Sequence, residues 1–153
     1  MFEACQDPEI ARHTYVPQPY RLADAEGFIA RRAQTLANGS TAASFAVVDA
    51  ATDRVLGSMS RPPLDGHRAS FGYWLAPEAR GRGVATRALR LIVDWTLATT
   101  DAIRLELYTD LDNPASGRVA EKSGFVREGI RRAWEIGRDG HPIDVIFYVR
   151  IRE

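Results

Sequence analysis

The chain has 153 residues, 45% of them hydrophobic and 26% charged, with Lys plus Arg and Asp plus Glu balanced at 20 each. That length suits a single domain spanning 1–153 around one core, and the composition is that of a soluble globular protein rather than a disordered or membrane chain. With no net charge there is no overall field to gather nucleic acid or an anionic membrane, so any anion must be held by local geometry.

The first residues, Met1 to Cys5, lack a basic region followed by an apolar stretch, and no apolar run approaches the ~18 residues of a membrane span, so neither secretion nor insertion is expected. Cys5 is the only cysteine. It allows no internal disulfide and no cysteine-based metal framework, which fits a reducing cytoplasm. His13, His67 and His141 are scattered, none pairs with a second ligand at metal spacing, and no metal is expected. Ala25, Phe28, Ile29, Arg32, Ala33 and Leu36 recur at helical spacing, with Asp24 and Glu26 at the start and Asn38-Gly39 at the end, and predict an amphipathic helix. Phe45 to Val48 and Val55 to Met59 flank the polar turn Asp49–Arg54 and predict an antiparallel hairpin. Pro62-Pro63 and Asp65-Gly66 stop its second strand.

Ser70 to Leu75 is aromatic-rich and ends at Ala76-Pro77, as a strand should, because proline lacks a ladder donor. After a glycine-rich turn, Val84, Ala88, Leu91, Ile92 and Trp95 form one apolar stripe of a helix that packs on a sheet. Ile103, Leu105, Leu107 and Thr109 alternate with Arg104, Glu106 and Tyr108, the period of a strand. A strand, helix and strand in this order make a right-handed crossover with the two strands parallel. Asn113-Pro114 opens a short helix as cap and first position, and Gly124 ends it. Phe125–Ile136 and Ile143–Ile151 form a hairpin turned by Arg138-Asp139-Gly140-His141. There is no internal repeat, linker or low-complexity stretch, and the whole reads as one mixed α/β domain.

Gly81 and Gly83 sit where a strand gives way to a helix, and the exposed N–H groups and dipole of a helix start favour an anion. Without side chains there, a pyrophosphate can approach the backbone, and Arg80 and Arg82 can add charge-assisted contacts. The segment has neither the Gly-Lys-Ser/Thr ending of a triphosphate loop nor the three glycines of a dinucleotide fingerprint, which argues against ATP and NAD.

The segment resembles the signature of the GCN5-related N-acetyltransferase (GNAT) superfamily: Arg or Gln, two residues, Gly, one residue, then Gly or Ala. Arg80, Gly83 and Ala85 match it. The longer run from Gly72-Tyr73-Trp74-Leu75 through Pro77-Glu78-Ala79-Arg80-Gly81-Arg82-Gly83-Val84-Ala85-Thr86 is similar to the ribosomal-protein alanine acetyltransferases of the RimJ/RimL-like branch. Asn113-Pro114-Ala115-Ser116 and Glu121-Lys122-Ser123-Gly124-Phe125 follow at the expected places. The resemblance implies a central twisted mixed sheet with two splayed parallel strands and flanking helices. One departure stands out: Phe2 to Arg12 already resembles the branch's first helix and its exit, so the usual opening strand is expected to be missing.

The resemblance also implies site roles. Pantetheine of acetyl-CoA, the cosubstrate, would enter between the splayed strands and pair with backbone near Trp74 and Leu75. Its pyrophosphate would rest on Gly81, Arg82, Gly83, Val84, Ala85 and Thr86, with Arg80 alongside. Asn113 and Ser116 would hold coenzyme and helix together, with Ser116 near the sulfur; both residues are also ordinary capping types. Glu106 is the first candidate for a base, with Glu135, Asp144 or a water relay as alternatives. Tyr73, Trp74 and Trp134 would line the acceptor slot, or else serve as core. The reaction implied is acetylation of a primary amine, on a protein N-terminus or a small molecule, by a monomer or homodimer acting without nucleic acid or membrane. A coenzyme A-binding module without catalysis is the alternative.

Overall fold

The run from Arg68 to Leu75 is one extended stretch in sequence and two strands in space. In the computed structural model, which describes residues 1–153 apart from the side chain of Leu36, β3 (Arg68–Ser70) and β4 (Gly72–Leu75) belong to different sheets. β4 closes a three-stranded antiparallel sheet with β1 (Ala43–Val48) and β2 (Val55–Arg61), in the order β1-β2-β4. β3 runs parallel to β5 (Arg104–Asp110), which continues through β7 (Pro142–Ile151) to β6 (Val126–Ile136) in antiparallel pairs. Phe71 lies at the switch, and its N–H still donates to the Glu106 carbonyl at 3.0 Å. Beyond it the expected parallel pairing ends, and β4 leaves β5 for β2.

Two helices cover one face of both sheets: α3 (Val84–Thr99), after the glycine turn, and α4 (Pro114–Lys122), after β5. Beneath them lies the main core of Met59, Phe71, Leu89, Val93, Leu105 and Tyr148 with their neighbours, and a second cluster of Leu56, Leu75, Ala79, Val84 and Ala85 sits at the start of α3. The buried face of α3 is rotated from the expected stripe. Val84 and Ile92 are buried as expected, but Leu91 is 71% exposed and its place is taken by Leu89, Val93 and Thr96. The helix bridges two sheets that diverge, so its inward arc differs from the one a single flat sheet would select. Trp95 lies at the rim, edge-on to Phe45 and beneath the Arg61 guanidinium.

On the opposite face are the short α1 (Pro8–Arg12) and the long α2 (Leu22–Ala37). Ala25 of α2 joins Cys5 and Tyr20 in a small cluster against Trp74. Ile29 and Ala33, read as core from their spacing, are exposed, and the Leu36 side chain lies outside the described residues. Asp7 caps α1 by accepting from the Glu9 amide at 3.0 Å. Among the described residues, the first strand is β1, at Ala43. No helix among them is long and apolar enough to cross a membrane.

β2 and β4 approach so closely that Gly57 has no room for a side chain. A Cβ there would stand 2.3 Å from the Trp74 carbonyl oxygen and 2.6 Å from Leu75 Cδ2. Neither a ladder carbonyl nor a core leucine can retreat, so Gly57→Ala should destabilise the protein by about 1–3 kcal/mol, as overpacking does. Urea denaturation monitored by tryptophan fluorescence measures it; an unchanged midpoint would contradict the tight β2–β4 register.

Candidate active site

At the end of β4 the chain passes through a short turn, Pro77–Ala79, and then four residues that reach α3. Gly81 and Gly83 have φ of +70° and +72°, a region that side chains disfavour. Gly83 is the N-cap of α3 and offers no side chain to cap it. The first amides of α3 have no partner within the helix either, as at any helix start. Gly81 to Gly83 are exposed, while Val84 and Ala85 are buried and fix the helix beneath them. The start of α3 is therefore open, with its N–H groups and helix dipole unopposed, the setting in which a helix end favours an anion. Arg82 donates to the Glu78 carbonyl at 3.4 Å, and Arg87 to the Arg82 carbonyl at 3.1 Å, which braces the turn. Arg80 is engaged elsewhere: its guanidinium donates to the Leu75 carbonyl at 3.1 and 3.2 Å and pairs with Asp7.

The gap between β4 and β5 opens beside this turn. Phe71 N–H points to β5 and Ala76 N–H points to β2, donating to the Leu56 carbonyl at 2.8 Å. Alternation along the strand therefore turns the backbone groups of Tyr73 and Leu75 toward the gap and those of Trp74 toward β2. Of the two residues expected to pair with a ligand, Leu75 faces the opening and Trp74 does not. The side chains alternate as well. Tyr73 packs with the core under α3 and α4, whereas Trp74 points to Cys5, Tyr20 and Ala25.

Across the gap, the Asn113 carboxamide caps α4 by accepting from the Ser116 amide at 3.1 Å. Ser116 Oγ lies 2.8 Å from the Tyr73 hydroxyl. Burial pushes the Tyr73 phenol up, with the Ser116 hydrogen bond opposing, so the pair stays neutral and proton-bearing near pH 7. Tyr148, buried on β7, sets the depth of α4: its hydroxyl would stand 2.4 Å from a Cβ at Gly117.

The other face of β5 carries the remaining candidates. Glu106 accepts from Arg104 Nε at 2.8 Å, and Arg104 also grips Glu128 with two hydrogen bonds of 2.9 and 2.6 Å. Glu135 sits apart from that network, accepting from the Tyr108 hydroxyl at 2.5 Å and from the Tyr15 hydroxyl. Burial, reinforced by Glu135, pushes the Tyr108 phenol up and keeps it a donor. Tyr108, Trp134 and Phe147 form one aromatic group, with ring centroids 5.1 to 6.5 Å apart. Trp134 reaches it because two extra residues of β6 bulge between Arg131 and Glu135. Ala133 takes φ of +49° at the bulge, and its N–H donates to Asp144 at 2.8 Å. Asp144 is thus tied to backbone, and Tyr73, Trp74 and Trp134 do not share one slot.

A family model described as "Acetyltransferase (GNAT) domain" matches residues 1–126. The chain belongs to this GNAT acetyltransferase family. It is 32% identical over 83 residues to a ribosomal-protein-serine acetyltransferase of Escherichia coli, an alignment covering 54% of this chain and 46% of that one. The chain therefore spans about half the length of that relative. Its fold matches a ribosomal-protein-S5-alanine acetyltransferase from Vibrio fischeri with a TM-score of 0.83 at 24% identity, covering 99% of this chain and 85% of the other. It also matches a spermidine N-acetyltransferase from Vibrio cholerae, in complex with CoA and spermine, with a TM-score of 0.78 at 20% identity over 98% and 86% of the two chains.

Within this GNAT domain several site residues escaped the sequence reading. Tyr15 and Tyr108 flank Glu135 from 120 and 27 positions away, so no local spacing announces them. His13, read as isolated, has Nδ1 2.6 Å from Asp110 Oδ2. With Asp112 these groups place ligand-type atoms within 4.8 Å of one another. Asp112, however, is paired with Arg12 and Asp110 is hydrogen-bonded to His13, so both carboxylates are already engaged within the protein. The left-handed glycines of the turn give a direct test. Gly83→Ala forces a side chain into the left-handed region and should cost roughly 1–2 kcal/mol of stability, measured by thermal unfolding, whereas Thr86→Ala on the next turn should cost much less.

Proposed function

We propose that this GNAT domain transfers the acetyl group of acetyl-CoA to a primary amine by direct attack. The observation that carries the reading is the divergence of β4 from β5 with the uncapped start of α3 at its mouth. A ligand with an extended chain and a pyrophosphate fits a slot edged by unpaired strand backbone that ends at a helix N-terminus. The cradle of Gly81 to Thr86 receives the phosphates, and the backbone of Tyr73 and Leu75 receives the pantetheine. Arg80 stands at the junction, where release from the Leu75 carbonyl would free that acceptor for the ligand.

Chemistry then needs an uncharged amine, support for the tetrahedral oxyanion and a proton for the departing thiolate. The amine nitrogen bonds to the thioester carbon, the carbon–sulfur bond breaks, and the proton lost by the amine balances the one gained by sulfur. Ser116 is assigned to the sulfur side, with its hydroxyl oriented by Tyr73. Glu135 is assigned as the base in preference to Glu106, because Glu106 is neutralised by Arg104 while Glu135 has no basic partner among the described residues. The acceptor enters from the face of Tyr108, Trp134 and Glu135, opposite α3 and α4. The domain is proposed to work in the cytoplasm, as a monomer or homodimer, without metal, nucleic acid or membrane. A coenzyme-binding module without catalysis would not need a polar pair such as Tyr73 and Ser116 on one side of the gap and a carboxylate without a basic partner on the other.

Acetyl-CoA at a hundred times its Kd should stabilise the protein by about 2.7 kcal/mol, raising Tm in a thermal scan, and Gly83→Glu should abolish that rise. No rise with the wild-type protein would remove the coenzyme site from this reading. In a thiol-release assay over a panel of amines, Ser116→Ala and Glu135→Gln should each lower kcat by roughly 10²-fold or more while the KM for acetyl-CoA stays within a few-fold. Glu106→Gln should act mainly on stability; if it is the more damaging carboxylate change for kcat, the base is Glu106.

A further inference from the structure

Arg131 is held in place without being satisfied. Its guanidinium carbon lies 3.6 Å above the Phe147 ring and 4.7 Å from the centre of the Trp134 ring. Contact with two aromatic rings restricts a guanidinium that has five N–H donors in a rigid fork. Arg131 nevertheless donates no hydrogen bond among the described residues. Its nearest carboxylate, Glu128, is 3.8 Å away, beyond hydrogen-bond distance, and both Glu128 oxygens are already taken by Arg104. With its side chain 37% exposed, Arg131 is open to a ligand.

The same aromatic group joins Arg131 to Glu135. Phe147 stacks with Tyr108, and the Tyr108 hydroxyl binds Glu135. One cluster thus presents a carboxylate without a basic partner and a guanidinium without a hydrogen bond, neither neutralising the other. Of the other acids around it, Glu106 and Glu128 are paired with Arg104 and Asp112 with Arg12, while Asp110 is hydrogen-bonded to His13 and Asp144 accepts from the Ala133 amide. A polycation drawn to Glu135 would meet a repelling arginine in the same cluster. A molecule with an amine at one end and a carbonyl or carboxylate beside it would meet both groups in complementary charge.

We propose that Arg131 is an acceptor-recognition residue that binds a carboxylate or amide carbonyl borne next to the acceptor amine, so that the site selects amino-acid-like or peptide amines over polyamines. This rests on reading the Tyr108–Glu135 face as the acceptor side. Arg131 receives the carbonyl oxygen through its N–H fork while Glu135 meets the amine. The β6 bulge, pinned by Asp144, is what brings Trp134 against the arginine.

The test compares alaninamide with isopropylamine, which is the same branched amine without the carbonyl group, and with spermidine. The wild-type enzyme should favour alaninamide over isopropylamine in kcat/KM by about tenfold or more, the size of a charge-assisted hydrogen bond. Arg131→Met keeps an apolar chain on Phe147 and should remove the preference by raising KM for alaninamide, with KM for acetyl-CoA and turnover of isopropylamine little changed. Arg131→Lys should restore part of the preference. Equal losses on both amines, or a wild-type preference for spermidine, overturn the proposal. Calorimetric titration with N-acetylalaninamide in the presence of coenzyme A separates this from the chemistry. If no amine is turned over but this product-like ligand binds at least tenfold more weakly to Arg131→Met than to wild type, the recognition role stands and acetyl transfer falls. If binding is equal or absent, the role of Arg131 falls whatever the turnover.

Discussion

The structure turns on the loss of one pairing. Up to the bond between Phe71 N–H and the Glu106 carbonyl, the strand entering the glycine turn belongs with β5. After it the same strand belongs with β2. An edge of unpaired backbone inside a protein is costly unless something occupies it or water reaches it. Here the divergence leaves Tyr73 and Leu75 facing an opening, and Arg80 meets the Leu75 carbonyl with two hydrogen bonds. The positions of the glycine turn, of Ser116 and of the Tyr108–Glu135 face all follow from where the two sheets part.

What keeps the parted sheets together is packing on one face and polar ties on the other. Beneath α3 and α4 a continuous core spans both sheets, with Met59 from one and Leu105 from the other in a single cluster. Each fully buried aliphatic side chain contributes about 1.5–3 kcal/mol relative to exposure, and the set far outweighs the missing strand pairs. On the opposite face the segment from Asp7 to Val16 reaches both halves. Asp7 pairs with Arg80 beside the cradle, Arg12 with Asp112 and His13 with Asp110 at the end of β5, and Arg138 donates to the carbonyls of Ala11, Thr14 and Val16. The exposed pairs among these are individually weak. Together they fix the register of a segment with little core of its own, and through Tyr15 that segment touches Glu135.

Polar chemistry is divided between the two faces. The side of α3 and α4 has neutral donors: orphan amides, and the hydroxyls of Tyr73 and Ser116. The opposite side of β5 has charge, most of it internally balanced, with Arg104 clamped between Glu106 and Glu128. Both carboxylates raise the basicity of that arginine, Glu128 first, and the Glu128 carboxyl is correspondingly held low. Such a clamp is a structural use of Glu106.

Much of this was legible in the residues themselves. Period-two and helical spacing, proline stops and glycine turns marked the hairpins, the crossover and the helix capped by Asn113, because these depend on neighbours within one turn or one strand. The glycine turn into α3 was legible for the same reason: its glycines and the helix start are contiguous. Tertiary structure alone decided which arc of α3 is buried, that Ser70 to Leu75 breaks at Phe71, that Trp74 turns away from Tyr73, and that Tyr15, Tyr108 and Arg131 gather around Glu135 and Phe147. These outcomes depend on contacts between residues far apart in sequence, set by how two diverging sheets pack, and a one-dimensional pattern carries no distance of that kind.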